Sequence, residues 1–389
     1  MKPGDGIATR AVHAGHDPAR HQGAAVPPLY ASATFVAPDT KTLEGLNSGK
    51  VQGFVYSRIR NPTVLAAEQR LASLEGAESA VLFGSGMAAV AGALAPLLKA
   101  GDTLVATPDL YGGTQRYLAE ALPRQGISVR LAASGSAADV AAAITPETRV
   151  IYTETPTNPL LRIVDLAALA TLAHDAGAVL LVDGTLGGPM NQRPLELGAD
   201  LVVHSTSKYL NGHGDVLAGA VVGSRKLTRA VRSMQQASGA ILDPHPAWLM
   251  LRGMATYALR MAQHNQSGQA VAEFLAAHPK VTRVHYPGLP DHPDHALARR
   301  QMTGFGGLMS FELATEAQAR AVVDRTRLFG IGASLGGIES LISQPGNTSH
   351  HSVPAEKRLA MGITPGLVRI SVGIEDTGDL IADLDQALA

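Results

Sequence analysis

From about residue 64 to about 224 the chain alternates two kinds of segment. Short apolar, β-branched runs appear at SAVLF (79–83), DTLVAT (102–107), ISVRLAA (127–133), TRVIYTE (148–154), AVLLVD (178–183), ADLVVHS (199–205) and LAGAVVG (217–223). Several are continuously apolar rather than alternating, as strands buried on both faces are. Between them lie Ala- and Leu-rich segments such as MAAVAGALAPLLKAG and LAALATLAHDAG, whose composition and terminal glycines suit helices. Strand and helix repeated in this way predict an α/β fold with a mainly parallel, seven-stranded sheet covered on both faces. Ligands of such sheets bind at the carboxyl ends of the strands, which makes strand ends the place to look for chemistry.

The flanks read differently. Residues 1–58 are rich in Gly, Pro and His and keep no period, as expected of an arm that packs on something else. The repeating unit then occupies 59–245. Beyond it, a long helical stretch is followed by VTRVHYP, GGLMSFEL and LVRISVGIED, which predicts a smaller C-terminal α/β domain over 246–389.

Charge narrows the partners. The 389 residues carry 32 basic and 33 acidic side chains in no blocks, so nothing marks a nucleic-acid or anionic-lipid surface and a small molecule is the expected partner. With no cysteine there is neither a disulfide nor a thiolate nucleophile or metal site. The N-terminus lacks an apolar core of signal-peptide length, and no stretch approaches the roughly 20 apolar residues of a membrane span. A cytoplasmic protein is expected. The 14 histidines include DHPDH (291–295) and SHH (349–351), which read as loops or surface helix starts and not as metal sites.

Three strand ends carry candidate chemistry. After the first run, GSGMAA (84–89) places glycines where a helix opens, and the backbone N–H groups of Ser85, Gly86 and Met87 suit a phosphate. Taken alone the motif also fits a dinucleotide fingerprint, with Asp102 or Asp109 available for a ribose, and so allows a nucleotide-dependent oxidoreductase. The second is Asp183, ending AVLLVD. The third is Lys208 in HSTSKYLNGHG, where an ammonium beside an apolar strand needs partners or a reason to lose its proton. A lysine, an acid and a phosphate cradle at one sheet edge are what pyridoxal phosphate requires: a covalent amine, and a carboxylate on the ring nitrogen. Ser205 and Ser207, flanking the lysine, would add hydroxyls to the phosphate.

The sequence resembles the Cys/Met metabolism (trans-sulfuration) family of pyridoxal 5'-phosphate enzymes over nearly its whole length. The carriers are VPPLYASATF (26–35), YSRIRNPT (56–63), GSGMAA, DLYGGT (109–114), ETPTNP (154–159), VVHSTSKYLNGHGD (202–215), SLGGIESL (334–341) and LVRISVGIED (367–376). The resemblance implies the fold of type I, aspartate aminotransferase-like enzymes. It implies Lys208 as cofactor anchor and proton shuttle, Asp183 on the ring nitrogen, Tyr111 stacked on the ring and active in proton transfer, and Asn158 on the ring hydroxyl. Tyr56 and Arg58 would reach the phosphate of a neighbouring subunit, and Ser334 with Arg369 would hold the substrate carboxylate. The catalytic unit would be a homodimer, two of which form a tetramer.

The family includes lyases and synthases, which share most of these residues. TRAVHAGHDPARHQGAAVPP, the GHGD turn, SGAILDPHPAWLMLRGM and the small Ala333 are most similar to methionine γ-lyases. Gly113, Gln235 and Gln236 stand where those enzymes usually show a cysteine and Lys-Asp. The expected activity is α,γ-elimination on L-methionine or L-cystathionine, with γ-replacement on an O-acylhomoserine as the alternative. DGTL (183–186) and SQPGNTSH (343–350) depart from the family's usual Asp-Asn-Thr-aromatic and His-Pro-Ala-Ser-Met-Thr-His, and they bear on substrate preference.

Overall fold

The computed structural model describes residues 4–351 and 353–389. Its larger sheet has seven strands: β1 (Ser79–Phe83), β2 (Thr103–Ala106), β3 (Ser128–Leu131), β4 (Thr148–Glu154), β5 (Val179–Asp183), β6 (Leu201–His204) and β7 (Gly219–Gly223). They lie in the order β1-β7-β6-β5-β4-β2-β3. From β6 through β3 all neighbours are parallel, and β7 alone runs against both of its neighbours. Each expected run supplies one strand.

Side chains alternate across this sheet and feed two cores. Leu82, Val105, Ile151, Val182, Val202 and Val222 face one side. Phe83, Leu104, Tyr152, Leu181, Val203 and Val221 face the other. Burial on both faces explains why these strands read as continuous apolar runs, whereas β3, at an edge, is largely exposed.

A second sheet of five strands joins β8 (Val281–His285), β9 (Leu308–Leu313), β10 (Gly330–Ile331), β11 (Leu341–Ser343) and β12 (Leu367–Ser371), in the order β10-β11-β12-β9-β8. It has its own core around Phe311, Met309, Val368 and Ile370. Helices Pro244–Ala255 and Tyr257–Ala277 run between the two sheets in sequence.

The first 58 residues are not structureless: they contain helices Ile7–His13 and Thr40–Asn47. Arg70, on helix Pro62–Glu75, holds this region by donating to the carbonyls of Ala14 at 2.9 Å and Val12 at 3.1 Å, and reaches Leu251 O at 2.7 Å. Among the described residues no helix is long and apolar enough to cross a membrane.

Candidate active site

The site gathers at the carboxyl ends of the parallel strands. Register places Glu154, last in β4, directly opposite Asp183, last in β5. The chain turns sharply after Asp183, because its Oδ1 accepts the Thr185 N–H at 3.0 Å. Burial raises the Asp183 carboxyl, and the two hydrogen bonds from Thr185, together with nearby His204, pull it back. Tyr152, below it on β4, donates its hydroxyl toward Asp183 Oδ2 at 3.5 Å.

The DGTL departure has a packing reason. A Cβ on Gly184 would meet Val202 Cγ1 at 2.9 Å and His204 Cε1 at 3.1 Å, so the turn sits too close to β6 for a side chain without displacement. Thr185 takes over the linking role, since its hydroxyl accepts the Ser205 N–H at 2.9 Å. Leu186 is buried in the core.

Lys208 follows β6 in a tight turn, its N–H donating to Ser205 O at 3.2 Å and its carbonyl accepting from Gly212 at 2.8 Å. Its Nζ donates to Ser334 Oγ at 2.7 Å. Burial lowers its pKa from the ordinary lysine value, and the charge of Arg369 lowers it further. A neutral amine, the nucleophilic form, is therefore easier to reach here than in water.

Arg369, on β12, is 4% exposed. It donates to Asn158 Oδ1 at 3.2 Å and to Ser334 O at 3.0 Å, both neutral acceptors. Burial pulls its guanidinium down to about 10. Ser334 itself has φ 146°, a conformation that non-glycine residues rarely adopt and that clusters at functional sites.

Tyr111 stands at the start of helix Gly112–Glu120 and is 48% exposed. Its N–H donates to Glu154 Oε2 at 2.7 Å, and the Asn158 N–H donates to Glu154 Oε1 at 3.3 Å. Gly113 has no room for a side chain, since a Cβ would stand 2.5 Å from the Tyr111 ring and 3.1 Å from Met87 Sδ. The Tyr111 ring thus occupies the space that a larger residue 113 would claim.

The expected phosphate-binding residues approach one another from two elements. Ser85 caps helix Gly86–Leu94 by accepting the Ala88 N–H at 3.1 Å. Ser205 packs on Gly86 so closely that a Cβ there would meet Ser205 Cβ at 2.9 Å and Oγ at 3.1 Å. Ser207 faces elsewhere: its hydroxyl accepts the Ala218 N–H at 2.9 Å and donates to Ala218 O at 3.2 Å.

Tyr56 and Arg58 make no hydrogen bond to the other candidate residues among the described ones. Arg58 stacks over the Tyr56 ring at 5.8 Å and donates to Gln236 O at 2.8 Å. Gln236 in turn donates to Ile59 O at 2.9 Å, and Gln235 donates to Leu82 O. Both glutamines therefore tie helix Arg225–Ser238 to its surroundings.

His350 of SHH and His292 of DHPDH lie in loops, as expected, yet both side chains are buried. His350 pairs with Ser349 Oγ at 2.9 Å, and burial with nearby Arg369 and Arg358 holds its pKa down to about 4. His292 accepts the Asp294 N–H at 3.1 Å, which folds the polar stretch inward. Asp109, offered above as a ribose acid, is occupied by Arg162 at 2.7 Å.

These residues fit pyridoxal phosphate on chemical grounds. A lysine amine of lowered basicity suits its aldehyde. A buried acid that has no cation within ion-pair distance among the described residues suits its ring nitrogen, and a glycine-opened helix start against a serine suits its phosphate. Fold and site together define a pyridoxal phosphate enzyme of fold type I.

The comparisons agree. Residues 8–389 match the model of the family described as Cys/Met metabolism PLP-dependent enzyme. The chain is 46% identical over 386 residues to L-methionine gamma-lyase of Pseudomonas putida, covering 98% of this chain and 97% of that one. It is 44% identical to cystathionine gamma-lyase of Bacillus subtilis (strain 168), covering 98% of each. Cystathionine gamma-synthase of Mycobacterium bovis is 46% identical, over 98% of this chain and 97% of that one. The crystal structure of metB from Corynebacterium glutamicum superposes with a TM-score of 0.94 at 40% identity, over 99% and 98% of the two chains. The protein belongs to the Cys/Met metabolism family of PLP-dependent enzymes, and its cofactor is pyridoxal 5'-phosphate.

Glu154, within ETPTNP, is not among the residues expected from the sequence; its signal is positional, since it ends its strand as Asp183 ends the next.

Proposed function

We propose that the enzyme catalyses α,γ-elimination on a sulfur amino acid, L-methionine or L-cystathionine, and that with water the products are 2-oxobutanoate, ammonia and a thiol. The observation that carries this reading is the Lys208–Ser334–Arg369 arrangement. It sets an amine and a buried guanidinium on either side of one serine, matched to the amino and carboxylate ends of an α-amino acid.

Pyridoxal phosphate, when bound, supplies an aldehyde for the substrate amine and a ring that withdraws the electrons left on Cα. The residues of the chain do the rest. Arg369 forks onto the substrate carboxylate and fixes the Cα–H bond. Lys208 anchors the cofactor, then takes the Cα proton through Nζ and returns protons along the substrate. Asp183 holds the proton on the ring nitrogen. Tyr111 stacks on the ring and passes a proton at the leaving sulfur. Asn158 bonds the ring hydroxyl, and Ser85, Gly86, Met87 and Ser205 hold the phosphate with Tyr56 and Arg58 of a neighbouring copy, while Ser207, its hydroxyl engaged by Ala218, braces the turn that carries Lys208.

Within the elimination reading, the small Ala333 beside Ser334 in sequence suits a short thioether such as L-methionine better than the longer L-cystathionine. The 46% identity to a cystathionine gamma-synthase, together with Gly113, supports the second reading, γ-replacement on an O-acylhomoserine. The working form is a homodimer, paired into a tetramer, in the cytoplasm.

The deciding experiment is 2-oxobutanoate release from L-methionine as sole substrate by the purified, cofactor-loaded protein. Release establishes elimination. A yellow protein that releases none, but joins a thiol to an O-acylhomoserine, establishes replacement.

A further inference from the structure

Glu154 is 2% exposed at the end of β4, opposite Asp183. Burying one carboxyl beside another is unfavourable, and both burial and Asp183 push Glu154 well above the ordinary range. No lysine, arginine or histidine stands within ion-pair distance of it among the described residues. Among the described residues its two oxygens accept two hydrogen bonds, from the Tyr111 N–H at 2.7 Å and the Asn158 N–H at 3.3 Å. Those N–H groups belong to two separate loops, one following β2 and one following β4, and to the two residues read above as contacting the cofactor ring.

We propose that Glu154 is a positioning residue that locks the Tyr111 loop and the Asn158 loop to each other, and so sets both side chains against the ring that Asp183 holds. The inference rests on the roles given to those residues under the proposed function. Two N–H donors need two acceptors, which a carboxylate has and an amide lacks, because the Nε2 of a glutamine would face an N–H group. The lock extends further, since Asn158 Oδ1 accepts from Arg369. A shift at Glu154 therefore moves the ring-stacking side and the carboxylate-holding side together.

The variant to make is Glu154→Gln in the full-length enzyme, with Glu154→Asp beside it, whose oxygens fall short of both loops. In the cofactor-free protein, amide hydrogen exchange should quicken at least several-fold in peptides containing Tyr111 and Asn158, and stay unchanged in those containing β1 and β7. In the loaded protein, the circular dichroism of the cofactor's visible band, per bound cofactor, should fall by about half or more. Turnover with the substrate established for the wild type should drop roughly 10- to 100-fold in kcat, the range for displacing groups that orient the reacting atoms. Unchanged exchange and unchanged dichroism in both variants would overturn the proposal, as would lowered thermal stability with turnover per folded enzyme intact. Failure of the functional reading is separate: the wild-type enzyme would then process none of the sulfur substrates, while the exchange and dichroism tests would still report on Glu154.

Discussion

Lys208 and Ser334 are 126 residues apart in sequence and meet at 2.7 Å, the amine donating to the hydroxyl. This bond joins the turn after β6 to the loop before β11, so the reactive end of the larger sheet is held by the smaller one. Ser334 keeps a left-handed conformation to do this while its carbonyl accepts from Arg369.

Replacing Lys208 tests the anchor. Lys208→Ala should bind pyridoxal phosphate without the visible absorption band of the covalent form, and activity should fall by roughly three orders of magnitude or more, as for loss of a positioned acid–base group. An unaltered band in this variant would remove Lys208 from the site.

Arg369→Lys keeps a cation but loses the fork. With two neutral acceptors oriented for a guanidinium, the shorter lysine cannot make both bonds and grip a carboxylate. Steady-state kinetics should show kcat/KM down roughly 10- to 100-fold, mostly through KM. A fall in kcat alone would place Arg369 outside substrate binding.

Acid should destabilise the protein in a definite window. His264 is fully buried and burial brings its pKa down to about 4, against 6.5 for an ordinary histidine. Between those values the unfolded chain takes up a proton that the folded one refuses, so stability is lost as pH falls from about 6.5 to about 4. His350 acts in the same direction. Asp183 and Glu154, with raised values, act in the opposite direction above the ordinary carboxylate range. Thermal melts at fixed protein concentration, wild type against His264→Gln, should therefore show a smaller loss between pH 6.5 and 4.5 in the variant. Equal losses would show that His264 is not responsible.

Sharing of the site between copies is open to complementation. Arg58→Ala and Lys208→Ala, each weak or inactive alone, are expected to regain activity when their subunits are dissociated and reassembled together, because a mixed dimer contains one unaltered site. Random pairing sets the ceiling at about a quarter of wild type. No recovery from verified mixed dimers would put Arg58 in its own subunit's site.

The larger sheet was legible because its strands, the exposed edge strand β3 apart, are buried on both faces and therefore largely apolar. β10 and β11 were not, being two and three residues long with no period to detect. Lys208, Asp183 and the GSGMAA turn could be found as polar residues at apolar strand ends. Glu154 could not be weighed, because its importance lies in which N–H groups face it. The inward turn of His350 was likewise hidden, since SHH is polar by composition and only tertiary packing buries it.

Arg369 has one more consequence. Among the described residues, this guanidinium, almost sealed from water, bonds to an amide oxygen and a peptide carbonyl and has no carboxylate within ion-pair distance, so its positive charge lacks a counter-ion there. With Arg369 in its proposed role, the site would screen visitors by ionic form before it measured their length: an ester or amide of a well-shaped amino acid would arrive without the charge that makes staying worthwhile. Discrimination among sulfur side chains would then operate only on molecules that had already passed that test.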